Sequence, residues 1–285
     1  MPLIDEETRD DDSSTDSAFT DHGAGGNPAG VVIGNVLLSG ARMQQIAAEV
    51  GYSETAFSAP QGDGWITRYY SPESEVPFCG HATIALGVAL AQANGSGRFR
   101  LYLSNGEIEV EAGTRDGRAY ATLRSLPTHS EPVPVALTDE ALALFGYSRD
   151  DLDANLPPRR MNAGAEHLFL ALKSRARLSA MSYDLEAGCA FMRHHGFVTV
   201  AFVWREAETL FHARNAFASG GVLENSATGA AAAAMAGMLR DSSVLTESEF
   251  TVLQGGDMGR SSRLIVSFSK EIGSPVSVSG EATLM

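Results

Sequence analysis

The sequence predicts an α+β protein of two pseudo-symmetric half-domains, each a curled antiparallel β-sheet or barrel around a central buried α-helix. Three observations lead there. Many short segments alternate apolar and polar residues as half-buried strands do, with few amphipathic helical stretches between them, which argues against a doubly wound parallel sheet. Two helix-length segments, 80–93 (GHATIALGVALAQA) and 228–239 (TGAAAAAMAGML), are apolar around nearly their whole circumference, and a helix without a polar face must be enclosed on all sides. Each opens on a small, glycine-containing turn bearing Thr and lies deep in its own strand-rich half, the pattern an internal duplication leaves.

Taken in order, residues 1–17 (MPLIDEETRDDDSSTDS) have almost nothing to bury and read as an acidic, flexible tail. Ordered chain is expected from Ala18, where GAGGNPAGVVIG turns into a short apolar strand. Residues 39–50 (SGARMQQIAAEV) carry helical spacing that closes at Gly51, a C-terminal signal. TAFSAP, WITRYYS, FRLYLS, EIEVEA and AYATL then alternate as strands. The stretch 126–158 is rich in proline and polar residues, holds a helix at TDEALALFG, and marks the junction. Half-domains of 18–127 and 128–285 follow, with the last strand free to return to the first half. In the second half HLFLAL, TVAFVWRE, TLFHARNAF, FTVLQGG and LIVSFS read as strands, with a helix over 183–194.

Composition narrows the function. With 44% apolar and 20% charged residues among 285, the chain is a globular protein. Its 21 basic and 35 acidic residues give a net charge of −14, half of it from residues 1–21. That excess repels phosphate backbones and anionic lipid, so neither nucleic acid nor a membrane surface is an expected partner. The only cysteines are Cys79 and Cys189, outside any CxxC pair, which leaves no disulfide framework and no thiolate-built metal site. No apolar run reaches the ~18 residues of a membrane helix, and the acidic start is unlike a secretory signal. A cytoplasmic protein is expected.

If both buried helices open on the cleft between the halves, their unsatisfied N–H groups converge and favour an anion. Gly80 and Gly229 would let a substrate carboxylate approach the backbone without a metal or a basic side chain; alternatively, they only permit tight helix starts. Moving a proton between two carbons needs a group that accepts and returns it, and a carboxylate in a dry cleft does both. Glu54 follows a helix ending near Gly51 and precedes an apolar TAF run, which sets it at an element edge facing inward; the alternative is a solvated turn glutamate. His81, at the start of a buried helix, either caps it, meets the substrate or is a core histidine. His194 and His195 read as a helix C-terminal pair answering the dipole. Arg68, Arg160 and Arg214 read as strand-end arginines, and neither GAGG nor QGGDMG has the spacing of a nucleotide loop.

GGNPAGVV at 25–32, SETAF at 53–57, EVPFCGHAT at 75–83, ENSATGAAAAA at 224–234, QGGDMGRSSRL at 254–264 and VSVSGEA at 276–282 occur in one order. In that order the chain resembles the phenazine-biosynthesis PhzF-like family over about nine-tenths of its length. The resemblance implies the diaminopimelate-epimerase fold, a homodimer, no cofactor, and an isomerisation that moves a proton on a small cyclic dihydro-hydroxyanthranilate. By it, Glu54 matches the proton-shuttling carboxylate and His81 the assisting histidine, while Gly80 and Gly229 match positions whose amides hold the substrate carboxylate.

The second motif departs from the family. The usual Glu-Asp-Pro-x-Thr-Gly-Ser reads here Glu224-Asn225-Ser226-Ala227-Thr228-Gly229-Ala230. Asn225 replaces an aspartate that assists catalysis; an amide can orient a ligand by hydrogen bonds but has no titratable proton near neutral pH. Ala230 replaces a serine that contacts substrate, removing one hydrogen bond and leaving room. DSSTDSAFT also lacks the apolar residues the family carries in its first strand. Cys79 matches one of two thiol bases in related racemases and epimerases, but the second thiol would fall near Ser226 and is missing; Cys189 reads as a small core residue.

The sequence therefore predicts a cofactor-independent isomerase of a small carboxylate-bearing, cyclic or amino-acid-derived metabolite. Glu54 moves the proton, His81 and Asn225 orient the substrate, and Cys79, Gly80, Ser226, Thr228, Gly229 and Ala230 line its subsite. Two alternatives remain: a racemase or lyase using Cys79, and a catalytically inactive binding or scaffold protein.

Overall fold

The computed structural model describes residues 12–104, 106–245 and 247–284, and its first strand corrects the reading of the N-terminus. β1 (Asp12–Thr20) pairs with β2 (Asn27–Ile33) from Asp12↔Ile33 to Ala18↔Asn27. On its other edge it pairs with the last strand, from Asp16↔Leu284 to Thr20↔Glu281. The tail expected over 1–17 is thus overturned over 12–17, while residues 1–11 lie outside the described residues. Main-chain bonds on both edges hold this strand, so it needs few apolar side chains, and its Ser and Thr residues tolerate extended backbone.

After β2 comes α1 (Gly40–Val50), where the Ser39 hydroxyl accepts the Arg42 N–H and Gly51 closes the helix at φ +71°, as its sequence signals predict. The first half continues with β3 (Thr55–Gln61), β4 (Gly64–Tyr70), β5 (Glu75–Val76), α2 (Gly80–Asn94), β6 (Gly97–Leu103), β7 (Gly106–Arg115) and β8 (Arg118–Arg124). The second half runs β9 (His129–Pro132), α3 (Val135–Leu144), β10 (Arg159–Asn162), β11 (Glu166–Ala171), α4 (Arg175–Ser179) and α5 (Leu185–His195). β12 (Thr199–Ala207), β13 (Leu210–Ala216), β14 (Glu224–Asn225), α6 (Gly229–Asp241), β15 (Glu249–Gln254), β16 (Ser262–Phe268) and β17 (Val276–Leu284) complete it.

Neighbouring strands β1-β2-β3-β4-β6-β7-β8-β17 lead back to β1, a closed barrel around α2. In the second half β9-β10-β11-β12-β13-β15-β16-β17 wraps α6, so β17 serves both halves. The sheets expected to be antiparallel are mixed: β2–β3, β4–β6, β11–β12 and β13–β15 are parallel. Each of these four connections carries a helix, which gives the chain the length to cross over and re-enter in the same direction. The sequence strand, outer helix, parallel strand, antiparallel strand, two-residue strand, buried helix, parallel strand occurs once in each half. That repeated order makes the two halves pseudo-symmetric.

His81 to Val88 of α2 and Ala231 to Arg240 of α6 are buried without interruption. One core joins both helices through Phe19, Tyr69, Phe169, Phe211 and Phe250. Alternation along β11 and β12 sends Phe169, Ala171, Ala201 and Val203 to this core, and Leu168, Leu170, Val200 and Phe202 to a second one under α3 and α5. α1 covers Val32, Phe57 and Tyr70 with Met43 and Ala47. Among the described residues no helix is long and apolar enough to cross a membrane.

Two buried polar groups make stability depend on pH. Asp16 is fully buried; Oδ2 accepts from Ser14 at 2.8 Å, and Oδ1 has no hydrogen-bond partner. Burial raises its pKa, only partly opposed by Ser14. The fold therefore favours the protonated acid, and stability is lost as pH rises from the ordinary 3.8 through the raised value, at about 1.4 kcal/mol per pH unit in that window. His167 is the mirror case: burial pushes it down to about 4, so stability falls as pH drops from 6.5 toward that value. Asp16→Asn is expected to raise Tm at pH 7, with the gain shrinking toward pH 4. Thermal unfolding of both proteins at the two pH values checks this, and an unchanged or lower Tm at pH 7 contradicts it.

Candidate active site

The two enclosed helices each begin on a partly accessible residue or two. Gly80 at the start of α2, and Thr228, Gly229 and Ala230 at the start of α6, are half-buried where the helix bodies behind them are buried. First-turn N–H groups have no intrahelical acceptor, so both mouths present donors. A Cβ built on Gly80 would meet nothing within 4 Å, whereas one on Gly229 would sit 3.4 Å from Phe19 Cζ. Phe19 holds a strained left-handed backbone (φ +61°) that turns its ring toward this entrance and toward Gly280.

Glu54 stands in the loop between α1 and β3, and its carbonyl accepts the Gly30 N–H of β2 at 3.2 Å. Its side chain is only 17% exposed, and Oε2 lies 3.4 Å from His81 Nε2 without a hydrogen-bond partner. The approach is close but not aligned for a bond. Ser53 Oγ also lies 3.4 Å from Nε2, and Cys79 Sγ lies 3.3 Å from Nδ1. Thr83 donates to the Cys79 carbonyl at 2.7 Å and is held by the Tyr69 hydroxyl, also at 2.7 Å, which fixes the turn that carries the thiol.

Burial sets the protonation of the two neighbours. It pushes the Cys79 thiol well up, and the nearby Glu54 charge adds to this, against the pull of the Ala82 and His81 N–H groups. It pushes His81 down, more than Glu54 lifts it. At neutral pH both are uncharged. Donor atoms of Glu54, Cys79 and His81 all lie within 4.8 Å of one another, so these three could also hold a metal ion, although the thiol would first have to lose its proton.

The opposite mouth is built from amides. Asn225 Oδ1 accepts from Asn27 Nδ2 at 2.9 Å and from the Ala227 N–H at 3.0 Å. Gln254 Oε1 accepts from the Thr228 N–H at 3.2 Å and from Asn215 Nδ2 at 3.1 Å. Its Nε2 donates to the Asn225 carbonyl at 2.6 Å and to Thr228 Oγ1 at 3.1 Å. Ser226 is buried and donates to the Gly26 carbonyl at 3.3 Å. Beneath them Arg214 grips the buried Glu224 at 2.5 Å and donates to the carbonyls of Ser179 and Met181.

Glu54, Cys79, Gly80 and His81 thus cluster at the start of α2, and Asn225, Thr228, Gly229 and Ala230 at the start of α6. β2 links them: Asn27 holds Asn225, and three residues on, about 10 Å along the strand, Gly30 holds Glu54. Ser226 turns its hydroxyl into the fold. Asn27, Gln254 and Arg214 were not singled out from sequence as site residues, although the first two lie within GGNPAGVV and QGGDMG. A search for titratable groups passes over uncharged amides, and Arg214 read as a solvated strand end.

The family model for phenazine biosynthesis-like proteins matches residues 16–285. A trans-2,3-dihydro-3-hydroxyanthranilate isomerase of Pseudomonas aeruginosa is 30% identical over 256 residues, covering 87% of this chain and 86% of that protein. A Deinococcus radiodurans protein named as an uncharacterized isomerase is 33% identical over 233 residues, covering 78% and 74%. Among solved structures, a PhzF-family phenazine biosynthesis protein of Bacillus anthracis aligns with a TM-score of 0.85 at 22% identity, covering 96% of this chain and 97% of its own. A probable proline racemase of Agrobacterium radiobacter aligns at 0.64 and 13%, covering 96% and 90%. Both structures speak for the fold.

Because a methyl group at position 80 would enter open space, Gly80→Ala is expected to leave thermal stability within about 1 kcal/mol while weakening carboxylate binding at least tenfold. Unfolding curves alongside ligand titration check this; equal loss of stability and binding would show that the position serves only the fold.

Proposed function

Because the chain belongs to the phenazine biosynthesis-like family, whose relatives are named isomerases, we propose that it shifts a proton on a small carboxylate-bearing metabolite. One observation carries the reading: a buried, unpartnered carboxylate oxygen on Glu54 between two neighbours that stay neutral. Neither Cys79 nor His81 changes protonation near neutrality, so Glu54 is the group that takes and returns the proton.

The substrate carboxylate lies between the helix mouths, on the amides near Gly80, Gly229 and Ala230. Glu54 removes a proton from a carbon conjugated with that carboxylate. The electron pair moves toward the carboxylate oxygens, where fixed N–H donors meet the growing charge, and Glu54 delivers the proton to a second carbon. His81 and Asn225 orient the ligand. A positioned base contributes about 10²–10⁴-fold, and oriented amides a further ~3–4 kcal/mol at most. Use of Cys79 as a thiolate base would work against its burial. The reading includes the homodimer and the absence of a cofactor that the resemblance implies, and the cytoplasmic setting expected from the sequence.

The test is proton exchange in deuterated water, starting with trans-2,3-dihydro-3-hydroxyanthranilate and extending to other unsaturated cyclic carboxylates. Wild type should place deuterium on carbon; Glu54→Gln should lose at least about 100-fold, and Cys79→Ser should stay within tenfold. Exchange that survives Glu54→Gln, or that vanishes with Cys79→Ser, overturns the assignment. Binding with no exchange by wild type points to a scaffold.

A further inference from the structure

We infer that the α6 wall of the cleft selects ligands carrying an oxygen acceptor beside the carboxylate, as 2-hydroxy and 2-oxo acids do, over ligands carrying an ammonium group there. The inference deepens the proposed function and rests on its placement of the carboxylate between the helix mouths.

Asn225 Oδ1 is committed twice, to Asn27 Nδ2 and to the Ala227 N–H. Both partners are donors, so the amide has one orientation; turned over, its Nδ2 would face two donors. Nδ2 is therefore the end left for a ligand, and it has no hydrogen-bond partner among the described residues. It reaches solvent, since Asn225 is half-buried while Glu224, Ser226 and Ala227 around it are buried. Thr228 is arranged in the same sense: its Oγ1 accepts from Gln254 Nε2, a bond that leaves the hydroxyl proton unused. The first-turn N–H groups of Gly229 and Ala230 are also donors.

This wall thus offers hydrogens. An ammonium group offers only hydrogens in return and would leave donors facing donors, whereas a hydroxyl or carbonyl oxygen pairs with them. An aspartate at position 225 would keep the bonds to Asn27 and Ala227 and present its second oxygen to the cleft, reversing the preference.

Matched sets that share a carbon skeleton cancel the contribution of the carboxylate. Calorimetric titration with phenyllactate, phenylpyruvate and phenylalanine, and with lactate, pyruvate and alanine, should show the oxygen-bearing acids binding at least tenfold tighter than the amino acid in at least one set. Asn225→Asp should narrow or invert that ratio at least tenfold while retaining the wild-type circular dichroism spectrum. Equal or tighter binding of the amino acids overturns the inference. So does an Asn225→Asp ratio unchanged from wild type, and so does failure of all six compounds to bind at millimolar concentration. If the preference holds but no ligand exchanges deuterium, the proton-transfer reading fails and this inference stands.

Discussion

A helix with no polar face has to be surrounded, and the rest of the molecule follows from that constraint. α2 and α6 are apolar on all sides, so each demands its own curved sheet. A closed wall hides every part of such a helix except its ends. At the N-terminal end the backbone presents N–H groups that the helix cannot use, and there the side chains are kept small: Gly80 on one side, Gly229 and Ala230 on the other. Solving the burial problem twice leaves two donor-rich helix starts, tied to each other through β2, where Asn27 holds Asn225 and Gly30 holds Glu54.

How far the sequence discloses this depends on whether a feature is local. The two buried helices, the strands around them and the α1 caps are written in nearby residues and are legible. β1 is not. SSTDS carries no strand signal, because its place is secured by β2 on one edge and β17, some 260 residues away, on the other. Parallel pairing of β2 with β3 or β13 with β15 is likewise set by what lies across the sheet. Within the site, Glu54 and His81 stand out through the SETAF and GHAT motifs of the family resemblance, since from the residues alone a turn glutamate and a core histidine read at least as well. Asn27 and Gln254 do not, since an amide that organises a loop looks in sequence like one that solvates a surface.

Electrostatics separates three chemically capable side chains. Glu54, Cys79 and His81 lie close enough to exchange protons in principle, yet the same burial acts oppositely on an acid and a base. It holds the thiol protonated and the imidazole neutral. Both outcomes leave uncharged neighbours beside the Glu54 side chain. The surroundings of Cys79 favour its protonated form.

The join between the halves limits how the cleft can work. The turn over residues 20–27 belongs to the first barrel, but the second half clamps it at several points. Thr20 pairs with Ser262, and the Gly26 N–H bonds the Ser261 carbonyl at 2.8 Å. Asp21 accepts from Arg263 at 2.6 Å, the Gly26 carbonyl accepts from Ser226, and Asn27 holds Asn225. β17 adds a ladder to each side. Rotating one half to open the cleft would break main-chain bonds in two sheets together, and each buried donor or acceptor left unmade costs about 1–3 kcal/mol. A hinge at this seam is therefore expensive, and the starts of both helices are held in place. Such preorganisation is what stabilising a transient anion requires, because donors already oriented need not reorganise as the charge appears.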